Sequence, residues 1–149
     1  MARLQSQSKL LYYPTPERVV DLIASWFSAP HPYRAADPCA GKGEALARLV
    51  DQLGAEAETW GVELSYSRAE RAEELLDVVL PTSFYNARWA AKSVNLLLNN
   101  PPYDWSNYRD PKTGKRVRHE RRFVQLATRK LAHGGHQVII VPRKQLGDE

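Results

Sequence analysis

Apolar residues along the 149-residue chain fall into two patterns, short continuous runs and longer stretches with helical spacing. The continuous runs predict strands at Tyr33–Asp37, Glu58–Leu64, Val94–Leu98 and His136–Pro142. The stretches with helical spacing lie between these runs. Strands that alternate with helices predict a three-layer α/β domain built on a mostly parallel sheet.

Four stretches place apolar residues three and four positions apart, as one face of an amphipathic helix does. The predicted helices run from Pro16 to before Pro30 with Thr15 as N-cap, from Ala45 to Leu53 with Gly54 as C-cap, from Ser65 or Ser67 to Val79, and from Glu120 to Leu131. Residues 1–11 show little periodicity and are predicted to form an N-terminal arm. The domain is therefore expected to span residues 12–149.

Length and composition match one soluble domain with a single core. No run approaches the ~20 apolar residues that a membrane span requires, and the first residues lack an apolar signal region. The cytoplasm is therefore the expected location. The single cysteine, Cys39, excludes an internal disulfide and a multi-cysteine zinc site. The histidines lack the spacing of metal ligands, so no metal is expected.

The net charge of +4 is unevenly distributed along the chain. Acids outnumber bases from Glu44 to Asp77, whereas nine Lys and Arg residues face two acids from Arg109 to Lys130. The basic segment suits an enzyme that holds phosphates, and a solvated loop and helix face explains the charge equally well. The stretch at about residues 104–119, which overlaps this segment, combines bases with aromatic rings, and this favours a mobile loop that orders over a nucleic-acid substrate. The candidate contacts are Trp105, Tyr108, Lys115, Arg116 and Arg118.

A glycine-rich turn follows the first strand, at Pro38–Glu44, and leads into a helix. Glycines let the backbone approach a ligand closely, and a helix start offers free N–H groups, so the turn predicts a nucleotide-type cofactor site. A phosphate-binding P-loop would need Ser or Thr after Gly41-Lys42, where Gly43 stands. A dinucleotide fingerprint would need a third glycine, and Leu46 occupies its position.

Glu63 stands at the end of the strand that follows the glycine turn. An acid about 20 residues after such a turn can accept hydrogen bonds from both hydroxyls of a ribose. A surface glutamate at a strand end is the simpler alternative.

Two prolines, Pro101 and Pro102, follow the strand Val94–Leu98. Neither has an N–H for a sheet ladder, so the chain must stop pairing at Asn100 and leave the sheet. The turn places a side-chain amide, a carbonyl and the ring of Tyr103 at the carboxyl end of a central strand, where open α/β sheets bind ligands. Taken alone, the tetrapeptide is equally consistent with a strand-ending turn and a surface tyrosine.

Asn100–Tyr103 has the sequence Asn-Pro-Pro-Tyr and resembles the signature of class I S-adenosylmethionine-dependent methyltransferases that act on amino nitrogens, chiefly the N6-adenine DNA enzymes. The resemblance implies that the Asn100 amide oxygen and the Pro101 carbonyl accept the two N–H groups of the target amine, and that Tyr103 stacks on a flipped-out base. The expected catalytic residues are Asn100, Pro101, Pro102 and Tyr103. DNA, or RNA, is the expected partner.

The pattern Asp-Pro-x-x-Gly-x-Gly from Asp37 to Gly43 resembles the cofactor loop of the same family, and the motifs follow in the order of its γ-type members. The resemblance implies a Rossmann-like methyltransferase sheet that binds S-adenosylmethionine. The resemblance also implies a short strand at Thr82–Ala87, in which Asn86 stands where the family usually has an aspartate that receives the adenine amino group. The implied cofactor-binding residues are Pro14, Thr15, Asp37, Pro38, Cys39, Ala40, Gly41, Gly43, Glu63, Leu64, Asn86, Ala87 and Asn100.

The resemblance ends at about Pro142, without the last two strands of class I methyltransferases. The chain is therefore expected to be truncated after its fifth strand and to expose an apolar edge at Val138–Val141, where a second copy or a completing subunit would pair. Three alternatives stay open. One is a methyltransferase for glutamine side-chain amides, which shares Asn-Pro-Pro-Tyr, and another acts on RNA. The third is a non-catalytic nucleic-acid-binding subunit with a vestigial cofactor pocket.

Overall fold

A computed structural model describes residues 12–28, 32–54 and 56–142 of the chain. In these residues the elements follow in the order α1 (Glu17–Ala24), β1 (Tyr33–Asp37), α2 (Glu44–Leu53), β2 (Ala57–Val62), α3 (Tyr66–Ala72), β3 (Val78–Leu80), β4 (Val94–Asn99), β5 (Trp105–Arg109), β6 (Arg116–Arg118), α4 (His119–Thr128) and β7 (Leu131–Ile139). The N-terminal arm predicted for residues 1–11 lies outside the described residues. None of the helices described is long and apolar enough to cross a membrane.

Five strands form one sheet in the order β3-β2-β1-β4-β7, and every neighbouring pair is parallel. The predicted α/β class and mostly parallel sheet are therefore confirmed. The chain adds β2 and β3 on one side of β1 and then returns to place β4 on the other side. This reversal leaves a crevice between the carboxyl ends of β1 and β4, which is where open α/β sheets bind their ligands.

Both faces of the sheet are buried, which explains why β4 is a continuous apolar run. Leu96 and Leu98 pack in the cluster that α1 and α2 form on one face. Leu97 points to the other face, where it packs in one cluster with Phe84 and with Phe123 of α4. The sheet is thus the middle layer between two helical layers.

The structure corrects the predicted course of the chain between β2 and β4. The helix predicted to continue to Val79 ends well before it, and Val78–Leu80 forms β3 beside β2. Asp77 fixes the start of β3 beside β2. Its carboxylate accepts hydrogen bonds from the backbone N–H and the hydroxyl of Thr59, each 2.7 Å long. The strand predicted at Thr82–Ala87 is wrong, since these residues follow β3 and form a turn.

The segment predicted as a loop at residues 104–119 contains an antiparallel hairpin of β5 and β6. The turn of this hairpin is built by Asp110, whose Oδ1 accepts the backbone N–H groups of Lys112 and Thr113 at 2.8 and 3.0 Å. A short polar turn of this kind needs no apolar pattern, which is why hydrophobic spacing did not reveal it.

The last strand is longer than predicted. β7 begins at Leu131 instead of His136, and its pairing with β4 is irregular at the start. In the part of the chain that the structure describes, β7 forms one edge of the sheet. The pairing of this edge with a second copy or another subunit stays a prediction.

Gly61 of β2 is a position where the close approach of Leu76 and of the glycine turn requires glycine. A Cβ there would lie 2.8 Å from Cδ1 of Leu76 and 2.9 Å from Cβ of Ala40, which is closer than packed carbons approach. We expect Gly61→Ala to lower the free energy of unfolding by about 1–3 kcal/mol through overpacking, as measured by urea denaturation. In a Leu76→Ala background the same substitution should cost less, and an equal cost in both backgrounds would contradict this contact.

Candidate active site

Two adjoining cavities open at the carboxyl edge of the sheet. The smaller has a volume of about 60 Å³ and lies between the glycine turn and residues 12–15. The larger has a volume of about 460 Å³ and lies between the end of β2, the turn after β3 and the start of α4. Cys39, Glu63 and Pro102 line both cavities. The residues predicted to bind a cofactor and those predicted to act in catalysis thus meet in one region.

The glycine turn after β1 is held against Glu63. The Gly41 N–H donates to Oε2 of Glu63 at 3.0 Å. Gly41 has a φ of +58°, and a Cβ at this position would clash with the ring of Tyr12, which lies directly over the turn. Glycine is therefore required here by the backbone conformation and also by the ring above it.

Glu63 is buried just after β2 and joins three parts of the site. Its Oε1 accepts hydrogen bonds from the Ser65 N–H and from Nη2 of Arg68, both 2.7 Å long. Its Oε2 accepts the Gly41 N–H and keeps a further lone pair for a ligand. The Arg68 guanidinium also lies 4.9 Å from the centroid of the Tyr12 ring. Several donors of this kind offset the free-energy cost of burying a carboxylate.

Asp37 ends β1 with a carboxylate that is only 3% exposed. Its Oδ1 accepts the Cys39 N–H at 2.8 Å. Burial raises the pKa of Asp37 to about 7; the hydrogen bond from Cys39 opposes this rise, and the charge of Glu63 adds to it. Asp37 therefore changes its charge near neutral pH, unlike an exposed aspartate.

The Asn100 side chain is engaged at both ends of its amide. Its Nδ2 donates to the Tyr13 carbonyl oxygen at 2.8 Å and to Oγ1 of Thr15 at 3.1 Å. Its Oδ1 lies 2.5 Å from the hydroxyl of Tyr103, which also lies 2.9 Å from the Ile140 carbonyl oxygen. Because a hydroxyl carries one hydrogen, Tyr103 donates to one of these acceptors at a time. The amide oxygen of Asn100, which is predicted to bind a substrate, is thus covered by the Tyr103 hydroxyl. This hydroxyl has the Ile140 carbonyl oxygen as a second acceptor.

Residues 12–15, here termed the strap, run across the smaller cavity. Pro14 and Thr15, which are predicted beside a cofactor, line this cavity. Thr15 does not cap α1 as predicted, because Pro16 holds the N-cap position and the Thr15 hydroxyl accepts the hydrogen bond from Asn100 instead. The strap therefore connects the start of α1 to the turn that follows β4.

Cys39 connects the glycine turn to the Asn100 turn. Its thiol donates to the Asn100 carbonyl oxygen at 3.1 Å and lies 3.6 Å from Oδ1 of Asn99. Burial, together with the neighbouring Asp37 carboxyl, raises the pKa of the Cys39 thiol well above its usual value. Cys39 is therefore a neutral hydrogen-bond donor in the wall of the site, and it lacks the thiolate character of a nucleophile.

The larger cavity combines apolar walls with a polar rim. Its apolar lining includes Val62, Leu64, Phe84 and Phe123, and its polar lining includes Thr82 and Ser83. The Tyr85 hydroxyl lies 2.5 Å from Nδ1 of His119. Burial lowers the pKa of His119 and raises the pKa of Tyr85 to about 12, so both side chains are neutral at pH 7. The two neutral groups therefore share one hydrogen bond, and the tautomer of the imidazole sets which of them donates.

Sequence reasoning missed the polar residues of the larger cavity. Thr82 and Ser83 follow the carboxyl end of β3, a strand whose two β-branched valines were the available signal for its position. His119 lies at the start of α4 and carried no motif. The structure does not bring Asn86 and Ala87 to either cavity, because the strand that was expected to present them is a turn and Asn86 is exposed in it.

Other predicted residues shape the backbone of the same crevice. Pro38 and Pro101 are fully buried, and Pro102 lines both cavities. Ala40 lines the smaller cavity, and Gly43 is the N-cap residue of α2. The fixed φ of the prolines holds the turns after β1 and β4 in one direction away from the sheet.

The residues predicted to bind nucleic acid lie on the β5–β6 hairpin. Arg116 donates to two backbone carbonyls of β5. Arg118 pairs with the buried Glu120 at 2.6 Å. Trp105, Tyr108 and Lys115 are exposed. Two of the three predicted phosphate-binding cations therefore have partners within the chain.

Comparison with protein families gives one match, which covers residues 1–149 and is described as "Uncharacterised methyltransferase family (DUF6094)". No curated protein matches the sequence. Solved structures provide further comparisons, all at low sequence identity.

The fold is similar to that of the type I restriction-modification system methyltransferase subunit from Streptococcus thermophilus, with a TM-score of 0.67 and 20% identity over 89% of this chain. It is also similar to the type IIG restriction endonuclease BpuSI (TM-score 0.68, 16% identity, 91% of this chain) and to tRNA (m1A58) methyltransferase TrmI from Aquifex aeolicus (TM-score 0.59, 14% identity, 93% of this chain). The chain spans 35%, 20% and 51% of these three proteins, respectively. At such identities the likeness concerns the fold.

The raised pKa of Asp37 predicts a specific loss of stability with pH. A carboxyl whose pKa is higher in the folded chain stabilises it fully below about pH 4, and this contribution is lost as the pH rises through about 7. The largest loss for a shift of about three units is about 4 kcal/mol. We therefore expect Asp37→Asn, which keeps an oxygen for the Cys39 N–H, to gain stability relative to the wild-type chain from pH 5 to pH 8.

Urea denaturation at each pH measures this difference. Asp51→Asn, at an exposed position of α2, serves as the control. A stability difference that is constant from pH 5 to pH 8 would show that Asp37 does not titrate as described.

Proposed function

The chain belongs to the uncharacterised methyltransferase family DUF6094, and on that premise we propose that it transfers the methyl group of S-adenosylmethionine to an exocyclic amino nitrogen, with N6 of adenine in DNA as the acceptor. The observation that carries this proposal is the meeting of Asp37, Glu63 and Asn100 around one cavity at the switch point between β1 and β4. Two acids for the cofactor and one amide for the acceptor amine then lie at the same edge of the sheet.

The residues around the two cavities fit S-adenosylmethionine. The larger cavity offers apolar walls such as Leu64 and Phe84 to a purine, and Glu63 offers its carboxylate to ribose hydroxyls. Asp37 offers a carboxylate to the ammonium group of the amino-acid end. The Tyr12 ring lies over Gly41 and leaves about 60 Å³ on that side. We therefore expect this ring to move when the amino-acid end of the cofactor enters.

The proposed mechanism is one of positioning and polarisation. Bound S-adenosylmethionine supplies an electrophilic methyl group on a sulfonium sulfur. The Asn100 amide oxygen and the Pro101 carbonyl accept the two N–H groups of the acceptor amine, which raises electron density on the nitrogen and directs its lone pair. The Tyr103 ring stacks on the base. With the cofactor bound, the nitrogen–carbon bond would form as the sulfur–carbon bond broke, and the amine would lose one proton to solvent.

Two features favour DNA as the substrate class. One protein with a similar fold is described as the methyltransferase subunit of a type I restriction-modification system, and another as a type IIG restriction endonuclease. Trp105 and Tyr108 are also exposed on a hairpin that carries Lys and Arg, as expected for a surface that holds nucleic acid. A glutamine side-chain amide presents a similar planar amino group, and the shared Asn-Pro-Pro-Tyr makes it the second candidate acceptor.

We expect the chain to transfer radiolabelled methyl groups from S-adenosylmethionine to adenine-containing duplex DNA. Asn100→Ala should lower the single-turnover rate by about 100-fold or more, because the acceptor that polarises the amine is lost. Tyr103→Phe keeps the ring and removes only the hydroxyl, so it should retain most of the rate. The radioactivity incorporated into DNA over time gives the single-turnover rate of each variant.

Calorimetry with S-adenosylmethionine on the same variants separates loss of chemistry from loss of cofactor binding. Transfer to glutamine in protein, with none to DNA, would favour the second candidate. Cofactor binding without transfer to DNA, RNA or protein would contradict a catalytic role for this chain.

The pKa of Asp37 also predicts how cofactor affinity depends on pH. An ionised carboxylate attracts the ammonium group of S-adenosylmethionine, and Asp37 becomes ionised as the pH rises through about 7. The Kd should therefore fall between pH 5.5 and pH 7, by at most about tenfold per pH unit. Asp37→Asn should bind more weakly at pH 7 and show little pH dependence, and calorimetry at each pH measures both. A wild-type Kd that is constant over this range would contradict the role of Asp37.

A further inference from the structure

The basic residues between positions 109 and 130 divide into those with internal partners and those without. Arg116 and Arg118 belong to the first group, as described above. In the part of the chain that the structure describes, Lys112, Arg121 and Arg129 form neither an ion pair nor a side-chain hydrogen bond. The second group is therefore available to a ligand.

These three cations line one groove between the β5–β6 hairpin and α4, here termed the α4 groove. Its volume is about 710 Å³, and its lining also includes the Tyr108 ring and the Gln125 amide. The acid in its lining, Asp110, already accepts two backbone N–H groups of its own turn. The α4 groove is thus positively charged and offers further polar groups.

Arg122 joins the α4 groove to the candidate active site. Its guanidinium lies 4.2 Å from the ring centroids of both Tyr85 and Tyr108. Tyr85 lines the larger cavity, whereas Tyr108 lines the groove. The cavity and the groove therefore lie at opposite ends of one stack of three side chains. The same stack holds the hairpin against α4 and so maintains the shape of the groove.

We propose that the α4 groove binds the sugar-phosphate backbone of duplex DNA next to the nucleotide whose base enters the active site, an inference that rests on the proposed function. Cations without internal partners suit phosphates, and such contacts fix the position of a protein on DNA. Arg121 and Arg129 lie at the two ends of α4, about 12 Å apart along the helix axis. That length corresponds to about three to four nucleotides of one strand at ~3.4 Å each.

The test compares two doubly substituted chains that lose the same charge. Arg121→Gln with Arg129→Gln removes two groove cations. Arg18→Gln with Arg71→Gln removes two exposed cations on α1 and α3, helices whose core residues pack on the other face of the sheet. Fluorescence anisotropy measures the Kd of each chain for a labelled DNA duplex at salt concentrations from about 50 to 200 mM.

The groove variant should bind DNA several-fold more weakly than the wild-type chain. The slope of log Kd against the logarithm of the salt concentration should fall by about 1.8. The variant loses two phosphate contacts, and each contact contributes about 0.9 to the slope. The control variant should keep the wild-type slope. Equal losses in the two variants would overturn the inference, and so would an unchanged slope in the groove variant. Tighter binding of an RNA duplex, or of polyglutamate with the same dependence on the groove, would also overturn it.

Calorimetry and thermal melting distinguish this inference from the proposed function. Both variants should bind S-adenosylmethionine and melt as the wild-type chain does, since neither pair of residues lines the cofactor cavities. A groove-dependent slope in a chain that transfers no methyl group would overturn the proposed function alone. Methyl transfer to DNA with an unchanged slope in the groove variant would overturn the groove proposal alone.

Discussion

The parallel pairing of β1 with β4 is the contact on which the site depends. Ala36 pairs with Leu97, so Asp37 and the turn at Asn100 leave the sheet side by side although they are far apart in sequence. The Cys39 thiol then bonds the Asn100 carbonyl across the gap between the two turns. A shift of register by one residue would turn the apolar side chains of β4 to the wrong faces and separate these groups. The apolar core therefore positions the polar site.

The polar groups of the site form hydrogen bonds mainly with one another, and the two buried carboxylates differ in how many donors they receive. The Glu63 carboxylate receives donors from Gly41, Ser65 and Arg68, which offset the free-energy cost of burying it. The Asp37 carboxylate accepts a backbone N–H on one oxygen, and its pKa rises to about 7. Burial with only one backbone donor therefore raises the pKa of Asp37, because a single N–H offsets little of the cost of burying its charge.

Sequence reasoning located the parts of the site that depend on local chemistry. The first strand, the glycine turn and the proline-ended strand lie where pattern and turn residues placed them, because each is specified by adjacent residues. The position of β3 depended on Asp77 and its bonds to Thr59 in another strand, which no local pattern reveals. The role of Thr15 was missed for the same reason, since its partner is Asn100. Long-range hydrogen bonds account for both differences.

The two acceptors available to the Tyr103 hydroxyl have a consequence for the energy of substrate entry. If an amine took the amide oxygen of Asn100, as proposed above, the hydroxyl could turn its hydrogen to the Ile140 carbonyl oxygen at 2.9 Å. No buried donor is left without a partner by this exchange, so the usual desolvation penalty is avoided. The carbonyl of Ile140, just after β7, thus serves as a reserve acceptor for the Tyr103 hydroxyl, which lowers the free-energy cost of freeing the Asn100 amide oxygen.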